Sequence, residues 1–381
     1  MILTKQLSSD GLSKGCEKMS EKKKVLVAMS GGVDSSVAVK ILLEEGYDVS
    51  GATMSLFSKD EIDENCEALR DVSDARKVAE KLGIPFYVFD FKEEFKQEVI
   101  DKFIDTYLNG KTPNPCIFCN KTLKFGRFLD KALEMGFDYI ATGHYVIKEF
   151  DVNKNRWLLK RSPDAKKDQS YVLYGLTQHQ LAHTLFPCGT LSKEEIRQLA
   201  EDNSLVNADK PDSQDICFIP DGNYAAFIEN RIGKTFPKGD FVLTDGKIMG
   251  GHNGHIRYTI GQRRGLGVSY TEPLFVVKKD ILNNQIILGT QQNLFSEGLV
   301  ADNVNFISFD EKDITGPVRV LAQTRYHQEA TPATVTCIGD GRVEVKFDNP
   351  KRAISPGQAV VFYDGDFVVG GGCISQCELR E

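Results

Sequence analysis

The sequence predicts an α/β fold: a doubly wound parallel sheet over residues 24–220, a small β-rich central domain over 221–291, and a C-terminal β-barrel over 292–381. Three observations predict it. Apolar runs at Val25–Met29, Val49–Met54, Phe86–Phe89 and Tyr139–Thr142 alternate with helical stretches, the pattern of a parallel sheet with helices on both faces. After Cys217 the texture changes to short alternating segments punctuated by Gly, Pro, Asp and Asn. A chain of 381 residues with 41% hydrophobic content can bury a sizeable core divided among two or three domains.

Taken in order, residues 1–23, rich in Lys, Ser, Gly and Glu with a second methionine at Met19, read as a disordered extension or a misassigned start. The first strand breaks into Ser30-Gly31-Gly32-Val33-Asp34-Ser35-Ser36 and enters an amphipathic stretch, Val37 to Glu45, that stops at Gly46. A strand, a loop of small residues and a helix start let backbone N–H groups and the positive end of a helix dipole surround an anion, with phosphate the obvious candidate. The spaced glycines and the lysine of a Walker A loop are missing, so a different nucleotide chemistry is indicated. Helices are expected over Asp74 to Leu82, ending at Gly83-Ile84-Pro85, and over Lys121 to Met135, ending at Gly136. Ligands of open parallel sheets bind beyond the carboxyl ends of the strands, where the Ser-Gly-Gly turn, Met54 and Gly143-His144 fall. A hairpin-like stretch follows, then Lys167-Asp168-Gln169-Ser170-Tyr171 leading a helix, then a helix from Ser192 to Asp202 with a Ser-x-x-Glu capping box. Strands at Leu274–Lys278, Gln285–Leu288, Val318–Ala322, Ala333–Cys337, Val343–Phe347 and Ala359–Tyr363 complete the β-rich half, and their close spacing suggests a barrel.

The formal charge of −7 gives no global support for nucleic-acid binding, so any such surface is local. Lys166-Lys167, Arg263-Arg264, Lys278-Lys279 and Arg325 beside Tyr326 and His327 are the basic patches, each ordinarily a solvated face. No apolar run approaches the ~20 residues that span a bilayer. Residues 1–24 lack the apolar core of a secretory signal, and a soluble, cytoplasmic protein without membrane partners is expected. Nine cysteines, an odd number without secretory context, argue for free thiols, a metal site or thiol chemistry rather than a disulfide framework.

Two cysteine segments stand out: Asn114-Pro115-Cys116-Ile117-Phe118-Cys119-Asn120 and the run from Lys210 to Cys217. Cys119, just ahead of the expected Lys121–Met135 helix, would face the positive end of its dipole and be more ionised than a free thiol. The Cys-x-x-Cys pair is also the form of half a zinc centre, although only Cys373 and Cys377 come near the spacing of a second half. A thioredoxin-like redox pair and an iron–sulfur cluster on Cys116, Cys119 and Cys217 are the other readings.

The turn Ser30-Gly-Gly-Val-Asp-Ser35 resembles the pyrophosphate-binding loop of N-type ATP pyrophosphatases, which adenylate a substrate oxygen, release pyrophosphate and let a nucleophile expel AMP. With it, Asn114–Asn120, Ala141-Thr-Gly-His-Tyr145, Lys167–Tyr171, the Cys217 segment, Tyr258-Thr-Ile-Gly-Gln-Arg-Arg-Gly-Leu-Gly267, Arg325-Tyr326 and Ser355-Pro-Gly-Gln358 resemble the tRNA-specific 2-thiouridylases, which thiolate the wobble uridine of certain tRNAs. The resemblance runs from Lys24 to the C-terminus. It implies ATP contacts at Ala28, Met29, Ser30, Gly31, Gly32, Val33, Asp34, Ser35, Met54 and Gly143. Cys119 would be the nucleophile and Cys217 the persulfide-bearing residue, the two joining in a transient disulfide after sulfur transfer. Asn114, Pro115 and Cys116 would border the target base; His144, Lys167, Asp168, Gln169, Arg325, Tyr326 and Gln358 would touch or position the tRNA. Many members have Asp where this chain has Cys116, which puts a third thiol beside the site.

The implied chemistry is coherent. The C2 oxygen of uracil leaves poorly until AMP is attached to it; sulfur can then replace it. Magnesium is expected with the triphosphate, and Asp34 is the candidate for its shell. The uridine must leave its stack to enter such a site. A monomer binding one tRNA, supplied with sulfur by an upstream donor protein, is the expected assembly. Another tRNA thiolase of the superfamily, a carbon–nitrogen ligase of the ATP pyrophosphatase type, and a non-enzymatic RNA-binding or metal-storage protein are the alternatives. Paired thiols separate the ligase, and tRNA-dependent pyrophosphate release separates the non-enzyme.

Overall fold

The computed structural model describes residues 22–57, 67–205, 207 and 216–379. The expected N-terminal extension through residue 21, Cys16, Cys66 and the run Lys210 to Asp215 lie outside the described residues.

The first domain is built on β1 (Lys24–Ala28), β2 (Asp48–Ser55), β3 (Phe86–Asp90) and β4 (Tyr139–Ala141), with a short edge strand at Thr184–Leu185. The strand order is β3-β2-β1-β4 followed by Thr184–Leu185, and every pairing is parallel. Successive side chains of a strand point to opposite faces, and β1 shows why the sheet is doubly wound. Val25 and Val27 pack with Val37 and Leu42 of α1 (Val33–Glu44) and with Ala75 and Val78 of α2 (Glu67–Leu82). Leu26 packs on the other face against Phe125, Phe128 and Leu129. All of these are at most 1% exposed, and burying each such side chain is worth roughly 1.5–3 kcal/mol.

The chain moves outward from β1 through β2 to β3, then returns to place β4 on the other side of β1. That reversal makes the carboxyl ends of β1 and β4 a topological switch point, the place where open sheets leave a crevice.

The central domain opens with a helix, Tyr224–Ile232, that the sequence reading did not include. Asn223 caps it and Gly233, at φ +69°, ends it in the left-handed region. Its four-stranded sheet runs Phe275–Asp280, Gln285–Gly289, Gly239–Leu243, Ile248–His252. Ile228 and Ile256 complete a core with Phe95, Phe103 and Tyr107 of the first domain. Tyr107 stacks on Tyr224, ring centres 4.8 Å apart.

The C-terminal domain is a closed antiparallel barrel. Its strands, in spatial order, are Phe295–Phe306, Arg342–Arg352, Thr331–Gly339, Val318–Gln323, Ala359–Asp364 and Phe367–Leu379, and the last pairs with the first. Leu299, Val320, Val335, Val345 and Phe362 fill it. The hairpin Val146–Asp151 and Arg156–Arg161, part of the first domain in sequence, joins the barrel's sheet where Phe367 pairs with Lys160. The two domains are thus stitched by backbone as well as by side chains. Among the described residues, no helix is long and apolar enough to cross a membrane.

Candidate functional site

The small-residue turn sits where the sheet order puts it, at the switch point. Gly31 takes φ +71° and Gly32 stands at the N-cap of α1 without a side-chain cap. The Ser35 and Ser36 hydroxyls donate back to the Gly32 carbonyl at 3.0 and 3.1 Å, and Ser35 Oγ accepts from the Ser30 N–H at 3.3 Å. These local bonds fix the turn and present the first N–H groups of a twelve-residue helix. Thr53 Oγ1 donates to the Met29 carbonyl at 2.7 Å, tying the turn to β2, and the Asn207 amide reaches the Gly31 carbonyl at 2.9 Å. From β4, Gly143 lies so close that a Cβ there would fall 2.7 Å from the Asp34 carbonyl carbon and 2.8 Å from the Ser35 nitrogen. Only glycine lets the two crossing loops meet.

Ala28, Met29, Ser30, Gly31, Gly32, Val33, Asp34, Ser35 and Gly143 therefore form one feature, and Met54 falls near the end of β2, the strand next to β1. Met29, Val33 and Ser35 are nearly closed to solvent, so only their backbone groups could meet a ligand.

Asp34 is the most engaged side chain of the turn. Its Oδ1 accepts from the Tyr145 hydroxyl at 2.6 Å and from Lys193 Nζ at 2.6 Å. A magnesium ion entering on a triphosphate would have Oδ2 to bind, which fits a metal held mainly by phosphate oxygens and water.

Cys119 packs with Leu56 and Phe57, just past the carboxyl end of β2, and its helix differs from the expected one. The helix bearing Cys119 begins at Pro115, not Lys121: Asn114 Oδ1 accepts the Cys116 N–H at 3.2 Å, and Pro115 occupies the first turn, where its missing N–H costs nothing. Cys119 follows Pro115–Phe118 and opens the π-helical segment Cys119–Arg127, which continues into Phe128–Glu134. It is buried one turn inside the helix, so the dipole does not act on it as at a free terminus. Burial instead pushes its thiol up, the neighbouring Cys116 adds to this, and the Lys124 ammonium opposes both.

Cys116 and Cys217 are exposed to solvent yet crowded by protein on most sides, and that crowding raises both thiols, with Lys124 again the opposing charge. Cys217 also feels Cys119 and Cys116. Cys119 shares a hydrophobic cluster with Phe218 and Ile219, the residues that carry Cys217 to it. Among the described residues no group of three or more His, Cys, Asp or Glu is arranged to hold a metal ion. Cys116, Cys119 and Cys217 are close enough for their charges to act on one another.

His144, half-buried beside Phe125 with ring centres 5.6 Å apart, has its pKa pushed well below the usual imidazole range by burial and by Lys124. Its Nδ1 lies 2.8 Å from Thr142 Oγ1.

The other predicted contact residues divide into two groups. Asp168 accepts from the N–H groups of Ser162 and Ser170 and from the Ser170 hydroxyl, and Gln169 accepts from the Tyr145 N–H. Gln358 donates to the carbonyls of Thr112 and Pro113, fastening the barrel to the cysteine-bearing loop. These three side chains are engaged in hydrogen bonds within the protein. Lys167, Arg325 and Tyr326 are half-buried. Arg325 donates to Ser355 Oγ and the Ile260 carbonyl, and the Tyr326 hydroxyl donates to the Asp168 carbonyl at 3.1 Å. Asp168 and Tyr326 line a recess of about 220 Å³ with Arg161, Lys166, His327 and Gln328. Its neighbour is the thiol site, for the Cys116 charge acts on Tyr326.

Sequence reasoning missed Lys193, Lys124 and Asn207. Nothing local marks Lys193, which follows a helix cap in sequence distant from the turn it reaches. Lys124, five residues beyond Cys119, would point well away from it in an α-helix; π geometry, with its i to i+5 bonds, turns the two toward one face.

A family model described as the tRNA methyl transferase HUP domain matches residues 23–221, one described as its PRC-barrel domain matches 225–290, and an aminomethyltransferase β-barrel domain matches 296–374. These define the class: a three-part protein whose nucleotide-type sheet precedes two β domains. Over 358 residues the chain is 52% identical to the tRNA-specific 2-thiouridylase MnmA of Acetivibrio thermocellus, covering 93% of this chain and 99% of the relative. The protein of the same name from Clostridioides difficile is 50% identical, over 93% and 98%. The chain belongs to the tRNA-specific 2-thiouridylase family.

Proposed function

We propose that this chain is an ATP-dependent sulfurtransferase that thiolates C2 of the wobble uridine of tRNA. The observation that carries the reading is the neighbourhood of Cys119 and Cys217 at a cluster that takes in Leu56 and Phe57 just past the end of β2, in a domain whose helix-start turn stands at the sheet's switch point. The turn receives the triphosphate of ATP as substrate. The uridine, swung out of its stack, presents its C2 oxygen to the α-phosphorus; that O–P bond forms as the bond to the β-phosphate oxygen breaks, and pyrophosphate leaves. The terminal sulfur of a Cys217 persulfide then adds at C2 and AMP departs with the electron pair of the C–O bond. Attack of the Cys119 thiolate on the Cys217 sulfur closes a Cys119–Cys217 disulfide and leaves the sulfur on the uridine. A variant of this order, in which Cys119 first releases hydrogen sulfide from the persulfide, uses the same two thiols.

Asn114, Pro115 and Cys116 border the base in this reading, and the recess under Tyr326 receives the adjoining RNA by stacking and by the charge of Arg161 and Lys166. Sulfur reaches Cys217, which is open to solvent, from a donor protein. The enzyme works in the cytoplasm as a monomer.

The test is thiolation of transcribed tRNA, read by nucleoside mass spectrometry. Cys217→Ser and Cys119→Ser each abolish 2-thiouridine while tRNA binding persists. Normal thiolation by Cys217→Ser refutes the assignment.

A further inference from the structure

The turn that receives the triphosphate has no lysine of its own, unlike the phosphate loops in which a lysine reaches the outer phosphates. The fold brings one from elsewhere. Lys193 is the first residue of the helix Lys193–Asp202, and its backbone is pinned twice: Ser192 caps the helix in a reciprocal capping box, and Asp164 Oδ2 accepts the Lys193 N–H at 3.2 Å. From there the side chain, 8% exposed, places Nζ 2.6 Å from Asp34 Oδ1 in the first turn of α1. The Tyr145 hydroxyl meets the same oxygen, and Cys188 Sγ donates to the Asp34 carbonyl at 3.4 Å.

A buried ion pair seldom repays its desolvation, so stability alone is a poor reason for this one. Its position suggests another. Asp34 complements the N-terminus of α1 when nothing is bound, but a carboxylate alone would repel a polyphosphate arriving at the same N–H groups. A fixed ammonium beside it reverses that repulsion.

We infer that Lys193 is the polyphosphate-binding cation of this site. With the site empty it is paired with Asp34; with a nucleoside triphosphate bound it also faces the β- and γ-phosphates and holds the charge that gathers on pyrophosphate as the α–β bond breaks. The inference rests on the reading of the turn given under Proposed function, and it adds a residue from outside every motif of the first domain.

The experiment is calorimetric titration of the full chain with pyrophosphate and, separately, with AMP, both in EDTA so that no metal bridges Asp34 to the ligand. Wild type binds both. Lys193→Met weakens pyrophosphate by ~tenfold or more, the size expected for one lost charge-assisted bond, while AMP affinity stays within ~twofold. Lys193→Arg retains pyrophosphate binding, and Asp34→Asn, which releases Lys193 from its partner, binds pyrophosphate as tightly as wild type or more so. Equal pyrophosphate binding by Lys193→Met and wild type overturns the inference and leaves the reading of the turn intact. Loss of pyrophosphate binding in Asp34→Asn matching that in Lys193→Met also overturns it, since the pair would then be a strut for the turn. Failure of wild type to bind pyrophosphate removes the reading itself. Thermal melting and the AMP arm separate misfolding of Lys193→Met from loss of a contact; if that variant does not fold, Lys193→Gln takes its place, with the same loss of pyrophosphate affinity expected and wild-type affinity overturning the inference.

Discussion

Burial raises the thiols of Cys119, Cys116 and Cys217, neighbouring thiols add to this at Cys119 and Cys217, and one ammonium, Lys124, works the other way. A thiolate is the nucleophile, so the balance sets the rate. Replacing Lys124 by Met should move the pH profile of Cys119 alkylation to higher pH and slow it by roughly threefold or more at neutral pH, with Lys124→Arg restoring it. An unmoved profile in Lys124→Met would show that the lysine does not govern the thiol. At this scale the sequence was most informative about chemistry-bearing types and least informative about their partners. Cys119, Cys217, Asp34 and Gly143 are legible as motif residues. That Asp34 would be held by Lys193, or that Gln358 would spend its amide on Thr112 and Pro113, depends on contacts between segments far apart in the chain.

The elements were legible where a periodic pattern and a stop signal agreed. The four strands of the first sheet fall within a residue of the expected limits because each is a short apolar run closed by small or polar residues. The start of the Pro115–Glu134 helical region was misplaced although its signal was present: Asn-Pro is an N-cap followed by the residue best suited to the first turn. The stretch after Gln169 was expected to be a helix and is a single 3-10 turn, Ser170–Leu173, because Tyr171 is drawn into the core to donate to the Ala359 carbonyl. The loop Ser355–Gln358 shows how an element-level motif acquires meaning only from its partner. Gly357 takes φ +90° against the segment before Asn114, and a Cβ there would lie 2.9 Å from the Thr112 nitrogen. Gly357→Ala should therefore cost on the order of 1–3 kcal/mol by denaturant unfolding, from a strained backbone and a displaced neighbour, and should lower thiolation by shifting the cysteine-bearing loop. Unchanged stability would mean that the contact yields freely.

As a whole molecule, the chain is three bodies joined around one crevice. The barrel supplies Gln358, Arg325 and Tyr326 to a site whose chemistry belongs to the first domain, and the central domain shares its helix core. The division was visible in the sequence as a change of texture. The joining was not, since the hairpin Val146–Arg161 looks like any surface hairpin until Lys160 is found opposite Phe367. The central domain also predicts a pH response. His252 and His255 are buried, and burial holds both below the ordinary imidazole value of 6.5. Below about that pH the unfolded chain takes up protons that the folded chain refuses, so stability should fall as pH drops from 7 toward 5. Replacing both by Gln should flatten the slope in urea unfolding; an unaltered slope would assign it to other groups.

The central claim is that sulfur passes from Cys217 to an ATP-activated uridine. Loading the protein with isotopically labelled persulfide sulfur and following the label by peptide and nucleoside mass spectrometry tests it most directly. The label should reside on the Cys217 peptide and pass to 2-thiouridine only when ATP and tRNA are both present, leaving a Cys119–Cys217 disulfide. Label held on Cys373 or Cys377 instead, or transfer that proceeds without ATP, would contradict it.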